Sequence, residues 1–377
     1  MPFDTRTDSP RRVEKFRFFV FTCRKAASDF RLPLAEALSR DYETYYIWLK
    51  RRPIVSGPRG CDQPVEMNLL RFLMFMLGFG RDDKVNIYFN STNTYFPGVM
   101  VFLRCFVTAG VWCLDMHDDL RYHNTGLTRL REALIVRLLI ACSDVIVNAA
   151  PMLAELFPGS RHLGNASHIR PLAHGAETKD GVLVIASFDE RLDVDFLSRL
   201  AALRPQMQFH LHGWTRPDDP VTAEKIRILK AQHANIHYYG GYTTDDLPAI
   251  LGSYRVSLAP YLADALITRY IDPLRYYHCL NAGLEVVSTD IPQATYMGRW
   301  IHVVHDVKEC AETLEAVQAG KLAKQPGYTP ITWEQRVDRL VEILRALPRT
   351  QALGARRPRR DSVEMATAEV GSGSAGD

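Results

Sequence analysis

None of the short motifs that settle a chemistry at sight is present in a strand–turn–helix setting: no GxxxxGK[ST] phosphate loop, no GxSxG nucleophile turn, no HExxH metal pair, and no GxGxxG outside the polar end of the chain, where residues 371–376 read GSGSAG with no apolar strand before them. The last absence counts against a nicotinamide enzyme. The seven cysteines (Cys23, Cys61, Cys105, Cys113, Cys142, Cys279, Cys310) are scattered and include no CxxC pair. That argues against a disulfide framework or a zinc site and fits reduced thiols of the cytosol. No apolar run reaches the roughly 18–20 residues of a membrane-spanning helix, and the polar start through Arg12 lacks a signal-peptide core. Neither sign of charge dominates, with Lys+Arg 46 against Asp+Glu 43 and a net charge of +3. Bulk charge therefore gives no reason to expect a nucleic-acid partner.

What is present is a chain of 377 residues, long enough for two cores, with 47% hydrophobic and 24% charged residues as in ordinary globular proteins. The charge is divided: residues 1–178 carry 23 basic and 18 acidic side chains, residues 179–348 carry 18 and 21. Residues 1–14 and 349–377 have no apolar periodicity and read as disordered tails. Between them, short apolar runs alternate with helical patterns, which indicates βαβ units and parallel sheets. In the first half strands are expected at 16–21, 44–48, 85–89, 110–114 and 145–148, with helices near 30–39, 69–77, 98–106 and 127–142. In the second, strands are expected at 182–187, 208–213, 236–239, 256–260, 285–288 and 302–304. Helices lie near 193–203, 223–231, 244–252, 273–283 and 307–319, with Asp193 and Thr244 as N-caps and Gly283 as a C-terminal stop. The fold class is thus α/β: two doubly wound, Rossmann-like domains, 15–175 and 182–332, joined by a polar hinge at 176–181 and followed by a helix at 333–348. They would face each other across a cleft, where ligands bind beyond the carboxyl ends of the strands.

Residues 235–292 are the most informative. A strand ends in Gly240-Gly241, where missing side chains let backbone N–H groups approach an anion, although tight turns in any parallel sheet also use glycine pairs. Another strand ends at Pro260-Tyr261, and a loop carrying Arg269 leads to Asp272-Pro273. Proline at a first helical position, with Arg275 beside it, makes the start of that helix an anion site. The block Pro273-Leu274-Arg275-Tyr276-Tyr277-His278-Cys279-Leu280-Asn281-Ala282-Gly283, with 286–289 after it, resembles the nucleotide-sugar-binding domain of GT-B-fold glycosyltransferases. So do His174-Gly175-Ala176-Glu177 at the junction, residues 186–193 (Ala-Ser-Phe-Asp-Glu-Arg-Leu-Asp), and Thr332-Trp333-Glu334-Gln335-Arg336 before the last helix. The resemblance implies that Arg275 contacts a donor diphosphate, as suits a guanidinium at a helix start. Arg269 would serve a phosphate or a sugar carboxylate, or stand solvated. It also implies chemistry without a metal or other cofactor, the nucleotide-sugar being a co-substrate. Two positions depart from the family: its ribose-binding glutamate is His278 here, and the acid seven residues earlier in retaining members is Ile271. Both departures favour an inverting reaction. His278 would then hydrogen-bond or stack on the ribose, or simply pack in its helix.

An inverting transferase needs a general base for the acceptor hydroxyl. Asp115-Met116-His117-Asp118-Asp119 directly follows the apolar strand at 110–114, where a cleft-facing base belongs. Asp115, Asp118 and Asp119 would raise at least one another's pKa, or Asp118 and Asp119 would cap the next segment. This site, with Asp29-Phe30-Arg31 and His174-Gly175, resembles the inverting xanthan glucuronosyltransferases, on whose pattern Asp118 is the base. That family reaches a polyprenyl-diphosphate-linked sugar through a membrane-bound N-terminal domain. The apolar stretches 67–79 and 96–112, interrupted by Arg71 and Arg104, are either buried helices or helices lying in a membrane interface. With Arg6, Arg11, Arg12, Lys15 and Arg17 they give the first half the balance of a domain resting on anionic lipid. The expectation is an exopolysaccharide hexosyltransferase peripherally bound at the cytoplasmic membrane face, acting on a lipid-linked or polysaccharide acceptor. The alternatives are a nucleotide-sugar epimerase on the same fold and a catalytically silent subunit of a polysaccharide assembly complex.

Overall fold

The computed structural model describes residues 16–22, 32–57, 64–79, 84–91, 97–106, 110–117, 126–172, 180–216, 219–263, 265–322 and 327–355. The basic residues before Phe16, the segment Asp29-Phe30-Arg31, Asp118, Asp119 and most of the expected hinge, with His174 and Gly175, lie outside these residues.

Two sheets form. The strands of the first are β1 (Phe16–Thr22), β2 (Glu43–Trp48), β3 (Ile54–Ser56), β4 (Val65–Glu66), β5 (Val85–Ser91), β6 (Val111–Met116), β7 (Val145–Asn148) and β8 (Arg161–His162), in the order β4-β3-β2-β1-β5-β6-β7-β8. From β2 to β8 neighbouring strands run parallel, while β3 and β4 add an antiparallel edge. β1 reads FRFFVFT and is buried throughout, as a central parallel strand covered on both faces must be. Its Arg17 does not face lipid as expected. It lies 4% exposed inside the strand, paired with Glu43 at 2.9 Å and donating to Asn86 Oδ1 at 3.1 Å. A buried guanidinium is tolerated only with such partners.

The second sheet comprises β9 (Val182–Phe188), β10 (Phe209–Thr215), β11 (Ile236–Gly240), β12 (Val256–Ala259), β13 (Glu285–Thr289) and β14 (His302–Val304). All its pairs are parallel and the order is β11-β10-β9-β12-β13-β14. The chain reverses direction of winding between β9 and β12, so the crevice beyond their carboxyl ends is the expected ligand position. The expected strands are all present within a residue or two. The edge strands β3, β4 and β8 were not expected, being only two or three residues long.

Local chemistry explains the helix ends and two corrections. Asp193 caps Val194–Leu203 through Phe196 N–H, and Gly283 ends Leu274–Ala282 at φ 89°. The turn at Thr244–Asp246 is capped one residue earlier than expected: the Asp246 carboxylate accepts both the N–H and the hydroxyl of Thr243 at 2.7 Å. Pro273 is extended (φ −68°, ψ 118°) and stands just outside its helix as the cap, not at the first helical position.

The last helix, Trp333–Arg345, crosses back to the first sheet. Its Val337, Leu340, Val341, Ile343 and Leu344 share a core with Phe16, Phe18, Val20 and Leu38. The expected tail from 349 begins instead as a helix, Pro348–Ala355, pinned by Arg349 to Gly110 O and Asp144, both at 2.9 Å. Leu340 is fully buried, so Leu340→Ala is expected to cost about 2–5 kcal/mol in denaturant unfolding. Hydrogen exchange should localise the loss to β1 and β5 and leave β9 and β10 nearly unchanged.

Candidate functional site

A cleft of about 350 Å³ opens at the reversal point between β9 and β12. Its floor is Ile185, Ala186 and Ser187 from the end of β9, and Tyr261 from the residues following β12. One wall is the start of the Leu274–Ala282 helix, with Asp272, Pro273, Leu274 and Arg275. The first half contributes to the lining through His117 after β6 and Asn165 in the segment linking the halves.

The Arg275 guanidinium lies over the Tyr261 ring, 4.5 Å from its centroid, and Nη1 is buried with no hydrogen-bond partner among the described residues. A buried guanidinium N–H without an acceptor costs free energy until an anion or carbonyl fills the gap. Arg191 also lines the cleft. It is held by a bidentate pair with Asp189 at 3.0 and 2.5 Å. Burial pushes the Asp189 carboxyl up, but the Arg191 hydrogen bonds and charge outweigh this and hold it below the usual carboxylate range. Two guanidiniums thus converge where the helix start presents its free N–H groups, an anion-binding arrangement.

Asp272 is turned away from ligand chemistry. Its carboxylate accepts from Asn165 N–H at 2.7 Å, Tyr277 hydroxyl at 2.9 Å and Gln293 Nε2 at 2.7 Å. Asn165 returns a bond from Nδ2 to Asp272 O, while Arg336 donates to Asn165 O at 2.8 and 2.5 Å. Ile271 is buried beside it and supplies no acid. His278 bonds Ser167 Oγ through Nδ1 at 2.7 Å, and Ser167 Oγ in turn accepts Ile169 N–H. Burial, reinforced by the nearby His168, lowers the His278 pKa to about 3, so the imidazole is neutral at pH 7.

Other expected residues sit elsewhere. Arg269 is exposed and pairs with Glu155 at 3.2 Å, across the two halves and outside the cleft lining. Gly240 and Gly241 are not among the described lining residues. Gly241 instead lies under the Trp214 indole, where a Cβ would collide with the ring. Trp214 and Tyr242, with centroids 6.1 Å apart, flank an adjoining hollow of about 410 Å³ that shares Ala186 and Ser187 with the cleft. Asp115 is buried behind His117 and bonds its Nε2 at 3.0 Å. Among the described residues no group of His, Cys, Asp and Glu is placed to hold a metal ion. Arg191, Asn165 and Trp214 were not singled out from the sequence. Arg191 lies within the quoted 186–193 stretch, whereas nothing local marks Asn165.

No family model and no curated protein matches the sequence. Solved structures do. The chain is similar to sucrose-phosphate synthase from Thermosynechococcus elongatus, at 13% identity and a TM-score of 0.66, over 90% of this chain and 100% of that one. It is similar to Anabaena HepE, solved in complex with UDP and glucose, at 12% identity and a TM-score of 0.62, over 89% and 100%. The chain has the GT-B fold. The same GT-B likeness extends to a structure described as a putative UDP-N-acetylglucosamine 2-epimerase from Listeria monocytogenes (12% identity, TM-score 0.55, 88% of this chain and 96% of that one). In GT-B terms the cleft lies between the two Rossmann-like sheets.

His162 is depressed as well, to about 4, chiefly by burial and then by Arg336. Both histidines have folded pKa values below the ordinary 6.5, so above pH 6.5 neither affects stability. As pH falls from 6.5 toward 4 and 3, the unfolded chain takes up protons that the folded chain refuses. Stability is therefore expected to fall over this window. Denaturant midpoints at pH 7, 5.5 and 4.5 should show the loss, and His278→Gln should flatten it.

Proposed function

We propose that this protein transfers a sugar from a nucleotide-diphosphate donor to a lipid-linked or polysaccharide acceptor, with inversion at the anomeric carbon. The observation that supports it most is Arg275: a buried, unpartnered guanidinium nitrogen over Tyr261, at the start of a helix and at the reversal point of a GT-B sheet. The donor diphosphate would lie between Arg275, Arg191 and the Pro273 helix start, its charge met by guanidiniums and helix N–H groups without a metal ion. HepE, of like fold, was solved with UDP and glucose, which supports a nucleotide-sugar as the ligand class. Inversion fits the absence of a carboxylate at Ile271 and His278. The base would come from the 115–119 segment, where Asp118 is the residue that the family pattern singles out.

A membrane-bound acceptor is supported by the first half's surface. Leu69–Leu77, Pro97–Phe106 and Gly126–Ala141 pack side by side, and leave Leu70, Met74, Phe106, Leu127, Leu130 and Leu134 exposed by half or more. On the last helix Leu127, Leu130, Leu134 and Leu138 form one outward stripe, with exposed Arg129 and Arg137 beside it and exposed Arg71 on the first helix. Of the two expectations for the apolar stretches, this half-buried, half-outward arrangement suits helices lying on an anionic bilayer, peripherally at its cytoplasmic face. None of the described helices is long and apolar enough to cross a membrane.

A thermal-shift screen over UDP-, GDP- and dTDP-sugars tests the donor. A ligand at 100 times its Kd should add about 2.7 kcal/mol of stability, and Arg275→Ala should abolish the shift. No shift with any nucleotide would favour a silent subunit, and an epimerised donor released without acceptor would favour an epimerase. Asp118→Ala is expected to keep the shift and lose turnover. Sedimentation with anionic liposomes should be strong at low salt, and weakened by high salt and by Leu130→Asp with Leu134→Asp. Failure to sediment would remove the membrane-face reading.

A further inference from the structure

We infer that a second cavity, at the other end of the second sheet from the cleft, is a non-catalytic binding site for a neutral saccharide. It measures about 300 Å³, at the lower limit of ordinary small-molecule sites. Glu285, which opens β13, and Trp300, two residues before β14, both line it. The cavity thus lies at the amino ends of these strands, whereas the cleft lies beyond the carboxyl ends of β9 and β12. The two share no described lining residue.

Its walls are held before any ligand arrives. Tyr328 donates its hydroxyl to Asn281 Oδ1 at 2.6 Å, and its ring meets the Trp300 indole edge to face, with centroids 5.6 Å apart at 76°. Asn281 Nδ2 donates to Ile169 O and Ile331 O, both at 3.1 Å, and Ser167 N–H donates to Ile331 O. Both connections between the halves are thereby fastened to the end of the Leu274–Ala282 helix. Pro171 from one connection and Pro330 from the other complete the apolar border with Leu280 and Leu284.

The lining selects the ligand class. Trp300 Nε1 is buried with no hydrogen-bond partner among the described residues, so it lacks an acceptor that a ligand oxygen would supply. Glu285 spends Oε2 on His302 Nε2 at 2.9 Å, which leaves Oε1 to accept from a hydroxyl. A Cβ on Gly327 would lie 3.6 Å from Arg299 Nη2, so a guanidinium stands at the same rim as that carboxylate. One charge of each sign gives no preference for an ionic ligand. Flat aromatic and proline faces, one donor without an acceptor and one spare carboxylate oxygen fit a sugar ring, which offers C–H faces and hydroxyls that both donate and accept.

The test uses the full chain carrying ¹⁵N-labelled indoles and no nucleotide, so its result does not depend on the transferase reading. Of the five tryptophan indole signals, that of Trp300 is assigned by its loss in Trp300→Phe. Methyl glycosides of glucose, galactose and mannose are the probes, at millimolar concentrations. At least one should move the Trp300 signal saturably while leaving that of Trp214, beside the cleft, in place. UDP should leave Trp300 unmoved. Trp300→Phe keeps a ring against Tyr328 and removes the N–H, so it should retain the wild-type Tm and weaken the glycoside several-fold by calorimetry. A Trp300 signal that no glycoside moves would overturn the inference. So would a response confined to Trp214, a UDP-induced shift of Trp300, or undiminished affinity in Trp300→Phe.

Discussion

The Asp272 carboxylate is the fixed point of the structure. It is buried to 7% exposure and satisfied by Asn165, Tyr277 and Gln293, which come from the segment between the halves, the Leu274–Ala282 helix and the short Pro292–Tyr296 helix after β13. Leaving a buried carboxylate without such donors costs several kcal/mol, so these elements hold one another's positions. Arg336, from the helix that crosses back to the first sheet, closes the arrangement on the carbonyl of Asn165. These hydrogen bonds join the two halves alongside apolar contacts, since Tyr270 packs among the core residues of the first half. Arg269 with Glu155 adds an exposed ion pair across the same boundary, which contributes little.

That fixed point lies beside the cleft rather than across it, with a consequence for the charges in the site. Asp272 follows Ile271 and precedes Pro273, yet its negative charge is taken up by donors from three directions. Asp189 is likewise committed to Arg191. Asp272 in the cleft lining and Asp189 beside Arg191 are thus both committed to partners, while Arg275 Nη1 is buried without a hydrogen-bond partner among the described residues. The neutral His278, bonded to Ser167, adds no charge of its own.

Much of this was legible in the sequence because buried parallel strands are continuous apolar or aromatic runs, as in FRFFVFT, and a core on both faces demands them. The Leu274–Ala282 helix was legible from Pro273 and Gly283, whose positions follow from how helices begin and end. What was not legible depends on partners distant in the chain. Gly240-Gly241 looks like a phosphate turn, but only the fold reveals that Trp214 lies against Gly241. Arg17 reads as part of a basic surface until Glu43 and Asn86 enclose it. Asn165 carries no local signal, since its role is set by Asp272, 107 residues away, and Arg336, 171 away.

The division of labour between the halves also gives the outward apolar helices a place. The cleft wall from the first half is the end of β6, and the helix that follows it, Gly126–Ala141, carries the outward leucine stripe. A surface against which that stripe is buried would hold β6 and its His117–Asp115 pair at a set distance from that surface. An acceptor anchored there would meet the cleft from the first half, whereas a soluble donor would enter against Arg275 from the second. The excess of basic over acidic residues in the first half, and the reverse in the second, points the same way. On the proposed reading, long-range attraction to anionic lipid would act on the half that bears the stripe, and the second half would be left facing solvent.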